Sequence, residues 1–178
     1  AAAGAASPLQ SGGATGFGSG VSAPGNQPGG SLLQTIRAAA PLATYAFSAD
    51  DGAWTLGSNA QGSRSIANGQ LLVQLAATDT FIWSLSNQPL GDFYLEVDTT
   101  HQSGAVDNFF GVIFRLQDAA NFYLAAVSSD GQVTLGKFVD DSYTALERWT
   151  PSPALNTGRG SRNRLGLLAL GDQLVLLA

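Results

Sequence analysis

Residues 109–138, FFGVIFRLQDAANFYLAAVSSDGQVTLGKF, carry the clearest alternation of apolar and polar positions in the chain. Between Phe110 and Leu116, Phe110, Val112, Phe114 and Leu116 fall on one face. Gly111, Ile113 and Arg115 fall on the other. A turn over Gln117–Asp118–Ala119–Ala120 follows, then a strand from Asn121 to Val127. Ser128–Ser129–Asp130–Gly131 supplies the next turn, and Gln132 to Phe138 the third strand. A period of two, broken by Asp, Asn and Gly, predicts an antiparallel meander.

The same pattern recurs along most of the chain. Ala46–Phe47–Ser48 and the segment around Trp54 read as short strands flanking the turn Asp50–Asp51–Gly52. Arg64–Ile66 and Leu71–Ala76 form a hairpin around Asn68–Gly69, a pair that accepts the positive φ angles of a two-residue turn. Thr80–Leu85 is a strand carrying Phe81 and Trp83. From Phe93 to Thr100, Phe93, Leu95, Val97 and Thr99 alternate with Tyr94, Glu96 and Asp98. Tyr143–Trp149 is a further strand, and residues 151–163 a long polar loop. Arg164–Ala169 turns at Leu170–Gly171–Asp172 into Gln173–Ala178. No amphipathic helix is expected after residue 45. Short strands at this spacing predict an all-β sandwich or jelly roll.

The first 36 residues contain no charged side chain, and residues 1–30 are mostly Ala, Gly, Ser, Pro, Gln and Asn. Such a segment buries too little apolar surface to offset its ordering entropy. It reads as a linker or tether, or as an arm ordered against a partner. Within it, SLLQTIRAAAPL (31–42) is apolar enough for a short helix or docking strand, and Pro41 would end it. The expected division is an arm over 1–44 and a sandwich domain over 45–178.

Charge narrows the partners. Thirteen acidic residues face eight basic ones, for a net charge of −5. Binding to nucleic acid needs clustered positive charge, so that class is set aside. With no Cys, disulfides, thiolate metal sites and cysteine nucleophiles are excluded. The absence of Met implies a processed or partial chain. The apolar run Leu174–Leu177 at the end implies further strands or pairing with another chain.

Several landmarks have a familiar spacing: Phe114–Arg115, Asp118, Asn121–Phe122–Tyr123, Asp130–Gly131, Trp149, Thr157–Gly158 and Asn163–Arg164–Leu165. Over roughly residues 45–178 the chain resembles the concanavalin A-like lectin/glucanase sandwiches of bacterial surface proteins, with their laminin-G-like and 3-keto-disaccharide-hydrolase-like domains. The resemblance implies a concanavalin A-like jelly roll. It also implies an extracytoplasmic, cell-surface or membrane-associated setting, with an anchor preceding Ala1. That family pattern continues past the point matching Ala178, which again implies an incomplete sandwich.

Retaining glucanases of this fold carry three carboxylates at alternating positions of one strand. Two carboxyls about 5–5.5 Å apart serve as nucleophile and acid/base. Glu96 and Asp98 match two positions, but the third is Thr100. No catalytic residue is therefore assigned. The alternative is a glycoside-active enzyme of the keto-disaccharide-hydrolase type. Without that chemistry, Glu96 and Asp98 read as a solvated face, paired with Arg115 on a neighbouring strand.

Sugar binding needs aromatic faces and a few fixed polar groups. Tyr94, Tyr123, Tyr143 and Trp149 supply the first; Glu96, Asp98, Arg115 and Lys137 supply the second. The favoured set is Tyr94, Glu96, Asp98, Arg115, Tyr123 and Lys137. Trp54, Trp83 and most Phe read as core. His101, the one imidazole, lies in a loop and reads as solvated. No cofactor is called for, with calcium as the alternative, because it takes carboxylates and carbonyls from loops. Asp107 with Asn108, or Asp50 with Asp51, would be its donors. The expected function is a non-catalytic extracytoplasmic module, which either binds a glycan or serves as a subunit of a surface or membrane-associated assembly.

Overall fold

A computed structural model describes residues 29–178 and the dipeptide Ala3–Gly4; side chains are described from Leu32 onward. The linker or tether expected over the first thirty residues lies almost wholly outside the described residues. In chain order the elements are β1 (Ala3–Gly4), α1 (Gly29–Ala38), β2 (Gly57–Asn59), β3 (Gly62–Ala67), β4 (Gln70–Leu75), β5 (Ser84–Leu85) and β6 (Phe93–Thr100). They continue with β7 (Phe109–Asp118), β8 (Asn121–Ser128), β9 (Gln132–Val139), β10 (Ser142–Pro151), β11 (Arg162–Leu170) and β12 (Gln173–Leu177). The architecture is an all-β sandwich, mostly of antiparallel sheets, with β1 and β5 paired in parallel. Among the described residues α1 is the one α-helix, and none follows residue 45.

The expected meander forms the centre. Strands β7 to β10 make a four-stranded sheet in the order β10-β9-β8-β7. Its inner strands are buried on both faces, so β8 is apolar almost throughout rather than alternating. One face packs on a three-stranded sheet, β12-β11-β6: Val112, Phe114, Ala125 and Leu135 meet Leu167 and Ala169, with Phe93, Leu95 and Val97 against them. The opposite face, with Ile113, Phe122, Leu124 and Ala126, is covered by Trp83 and Leu85. Val127, Val133, Leu155 and Leu165 close one end of the sandwich. The hairpin β3–β4 is joined by β2 in a separate sheet.

Turn chemistry explains the hairpins. Asn68 and Gly69 have φ of 52° and 71°, the left-handed pair that a two-residue turn between twisted strands requires. At the β7–β8 turn, the Asp118 carboxylate accepts the Ala120 N–H at 2.8 Å and the Asn121 amide at 2.9 Å. It thereby stands in for backbone pairing.

The structure departs from the sequence pattern in four places. Arg115 has φ 49°, and the β7–β8 register shifts after Phe114. Four steps of β7, Phe114 to Asp118, span two of β8, Tyr123 to Asn121, so β7 bulges by two residues and Leu116 drops out of the alternation. Leu116 therefore joins Ile113 and Phe122 rather than Phe114. Phe47, also left-handed at φ 53°, interrupts the extended run expected at Ala46–Ser48. Its ring instead clusters with Tyr45 and Trp54, and Trp54 makes a lone bridge to Ser86. Of Thr80–Leu85, Ser84–Leu85 alone is strand. β2 was not anticipated, because three small polar residues carry no period.

Candidate functional site

The sequence-derived set divides into two groups on opposite sides of the β12-β11-β6 sheet. Tyr94, Glu96 and Asp98 point outward from β6, since Phe93, Leu95 and Val97 pack into the core. Tyr123 and Lys137 sit opposite each other in the β8–β9 register, and Tyr123 packs against the Phe114 cluster inside the sandwich. The Arg115 guanidinium lies 5.7 Å from the Tyr123 ring centroid and donates to the Gly171 carbonyl. The expected pairing of Arg115 with Glu96 and Asp98 is therefore not formed. The bulge turns Arg115 toward the β11–β12 turn instead.

Glu96 and Asp98 find other cations. Arg37, near the end of α1, donates its Nε–H to Tyr94 Oη and to Glu96 Oε1, both at 2.9 Å. The Tyr94 hydroxyl donates to the same carboxylate oxygen at 2.6 Å. Asp98 takes a two-point contact from Arg164 at 2.9 and 2.8 Å, and a third hydrogen bond from Arg162 at 2.6 Å. The register explains this: Arg164 lies opposite Asp98 in the β6–β11 ladder.

These contacts set the protonation states. The hydrogen bond from Tyr94, with Arg37 behind it, lowers the Glu96 pKa. The hydrogen bonds from Arg164 and Arg162 hold Asp98 well below the usual carboxylate range. Burial, then the hydrogen bond to Glu96, raises the Tyr94 hydroxyl. Both carboxyls stay ionised and neither is poised to donate a proton. Each already has its partners within the chain.

A second region is built differently. At one end of the four-stranded sheet, Asp107, Ser128, Asp130, Gln132 and Trp149 line an open cleft of about 190 Å³. Asp107 comes from the loop before β7, Ser128 and Asp130 from the end of β8 and its turn, Gln132 from β9 and Trp149 from β10. The surrounding loops are cross-braced. The Asp130 N–H donates to the Val106 carbonyl (3.0 Å), Ser152 N–H to Gly131 (2.9 Å) and Gly158 N–H to Ser129 (2.7 Å). His101 Nδ1 meets Ser129 Oγ at 2.9 Å, and its ring lies against Phe110 at 5.7 Å. His101 is therefore half-buried and tied in place, not freely solvated as its loop position implied. Arg159 Nε donates to the Gly104 carbonyl at 2.6 Å, pinning the 101–108 loop from the other side.

Inside the cleft, Ser128 Oγ donates to Asp130 Oδ1 and accepts the Gln132 N–H at 3.3 Å. Trp149 is 42% exposed and touches Phe109, with ring centroids 5.9 Å apart. Phe109 meets Phe81 at 5.6 Å, Phe81 meets Phe138 at 5.3 Å, and Phe138 meets Tyr143 at 5.1 Å. The five rings form a ribbon running from the cleft across the sheet. Trp149, Phe109, Phe81 and Tyr143 remain exposed along it.

The pattern of residues gave part of this region. Trp149, Tyr143 and Asp107 were already candidates. Ser128, Asp130 and Gln132 were not, because they read as turn and strand-start residues. The signal that marks them is spatial: a turn and a loop meeting beside an exposed indole. Of the calcium donors considered in the sequence, Asp107 lines the cleft. Asp50 and Asp51 each accept a local backbone N–H, at 2.9 Å, from Gly52 and Ala53. Among the described residues no three His, Asp or Glu side chains group as metal ligands. No protein-family model, curated protein or solved structure matches the chain.

Proposed function

We propose that the protein is a non-catalytic, extracytoplasmic module that binds a glycan through the cleft beside Trp149. The observation that carries this reading is the exposed indole forming one wall of a polar cleft. An aromatic face stacks on the apolar face of a sugar ring, while nearby carboxylates, hydroxyls and amides take its hydroxyl groups. Asp107, Ser128, Asp130 and Gln132 are such groups. The Phe109–Phe81–Phe138–Tyr143 ribbon continues the surface, which suits an oligosaccharide rather than one sugar. The loop braces favour binding as well, because a preformed site loses little freedom when occupied.

Binding rather than hydrolysis is favoured by the state of the alternative acids. A retaining glycosidase needs one carboxyl to hold a proton, whereas Glu96 and Asp98 are both held ionised by their partners. The extracytoplasmic setting is supported by the likeness to surface-protein sandwiches.

The test is a glycan array followed by calorimetry on the hits. Trp149→Ala should abolish the binding, with Leu170→Ala, exposed on β11, as a control that leaves it intact. Failure to bind any glycan, or full affinity in Trp149→Ala, would sink the reading.

A further inference from the structure

We propose that the cleft selects its glycan by charge, taking sugars with a free, protonated amine and rejecting uronate and sulfated sugars. This rests on the glycan-binding reading of the same site. Two of the five residues lining the cleft, Asp107 and Asp130, are carboxylates, and none is Lys or Arg. The charge is not neutralised from within. Asp130 Oδ1 accepts one hydrogen bond, from an uncharged hydroxyl. No ion pair among the described residues involves either carboxylate. This contrasts with Glu96 and Asp98, which are matched by arginines.

A sugar stacked on Trp149 places its ring substituents toward these two carboxylates. An ammonium substituent is attracted there, and an anionic one is repelled by both. The exposed indole adds to the preference, because the negative face of an aromatic ring attracts cations. The chain as a whole carries −5, so its long-range field also disfavours polyanions. An N-acetylated sugar, neutral at the same position, keeps the stacking and loses the charge term.

The experiment compares three oligosaccharides of equal length by calorimetry at pH 5.5, using the full chain. They are glucosamine oligomers with free amines, their N-acetylated counterparts, and oligomers containing glucuronate. The free-amine series should bind at least tenfold more tightly than the acetylated one, and the preference should shrink as NaCl is raised. Glucuronate oligomers should show no measurable binding. Asp107→Asn, an exposed change, and Asp130→Asn should each weaken the free-amine oligomer more than the acetylated one and so pull the ratio toward one. Equal affinity for all three, or a preference for glucuronate, overturns charge selection and leaves the glycan reading standing. So does a ratio that neither Asn variant moves. Binding to none of the three, together with a blank glycan array, overturns both.

Discussion

Phe114 is where the two principal sheets meet, so truncating it tests the packing most directly. Its side chain is 0% exposed. The ring meets Phe93 of β6 edge-on at 6.0 Å and Tyr123 of β8 at 5.5 Å. Val112, Leu167 and Ala169 complete the surroundings. Phe114→Ala opens a cavity between layers that are fixed by their own hydrogen-bonded ladders, so little collapse is available. Burial and cavity together are worth about 3–5 kcal/mol. For a domain of this size that lowers Tm by on the order of 10 °C. Phe109→Ala is the control: it is 40% exposed and loses edge contacts with Phe81 and Trp149, worth about 1 kcal/mol.

A double-mutant cycle then tests the bulge. Plain alternation places Leu116 beside Phe114; the left-handed Arg115 places it across the sheet with Phe122. Phe114→Leu should therefore couple with Phe93→Leu by about 0.5–1.5 kcal/mol and add to Leu116→Ala within about 0.5 kcal/mol. Urea denaturation followed by tryptophan fluorescence gives each value, provided m is unchanged. The packing is refuted if Phe114→Ala costs under about 1 kcal/mol. The bulge is refuted if Leu116 couples to Phe114 as strongly as Phe93 does.

Three further outcomes are expected. Gly111→Ala should destabilise by at least about 1–3 kcal/mol in the same denaturation assay, because the added Cβ would stand 2.8 Å from the Ala126 Cα of the paired strand. Gly91→Ala, with nothing within 4 Å, should be neutral. In a carbon-13 NMR titration Asp98 should remain ionised below the ordinary Asp range. Its folded pKa is lowered, so its contribution to stability is fully present above the unfolded value of about 3.9. That contribution is lost as pH falls through the folded value. Replacing Arg162 and Arg164 by Gln should bring the titration back up; an Asp98 that titrates normally in the parent protein contradicts the network. Arg37→Ala should speed amide exchange across residues 32–38 and raise the Glu96 midpoint. It should also raise Tyr94 further, because the guanidinium now lowers it. Unchanged exchange would mean that the Arg37 contacts do not hold α1 in place.

Local chemistry made much of the fold legible. Asn68–Gly69 marks its hairpin because few other pairs accept two positive φ angles. β6 is read correctly because it lies in a two-layer arrangement, with one face in the core and one outside, so its alternation is complete. The meander's ends were read to within about two residues, the usual uncertainty of strand limits. Two of the departures depended on backbone states that any residue type can hide. Arg115 and Phe47 adopt left-handed φ without being Gly or Asn, so no sequence signal marks where alternation slips or a strand stops. The arginines that neutralise Asp98 lie 64 and 66 residues away. The ladder register that joins them is a tertiary fact, and Arg115 was the nearer candidate on paper. Trp149 was legible as a candidate; its cleft was not, since Asp107 and Asp130 meet only when the loop and the turn fold together.

The two polar regions separate on one physical criterion, whether the chain has already satisfied its own charges. On the outer face of β6, every acidic group has an arginine, and the one tyrosine is hydrogen-bonded on both sides. A ligand arriving there must first break contacts of the kind it would replace, which leaves little net gain. In the cleft, Asp107 and Asp130 have no cationic partner among the described residues, and an exposed indole stands beside them. A ligand there competes with the Ser128 hydroxyl at Asp130, an uncharged donor, rather than with an arginine. The cleft's loops are braced largely by backbone hydrogen bonds, joined by the Ser128 hydroxyl, which bonds Asp130 and the Gln132 N–H. The two carboxylates at the opening take part in no ion pair among the described residues.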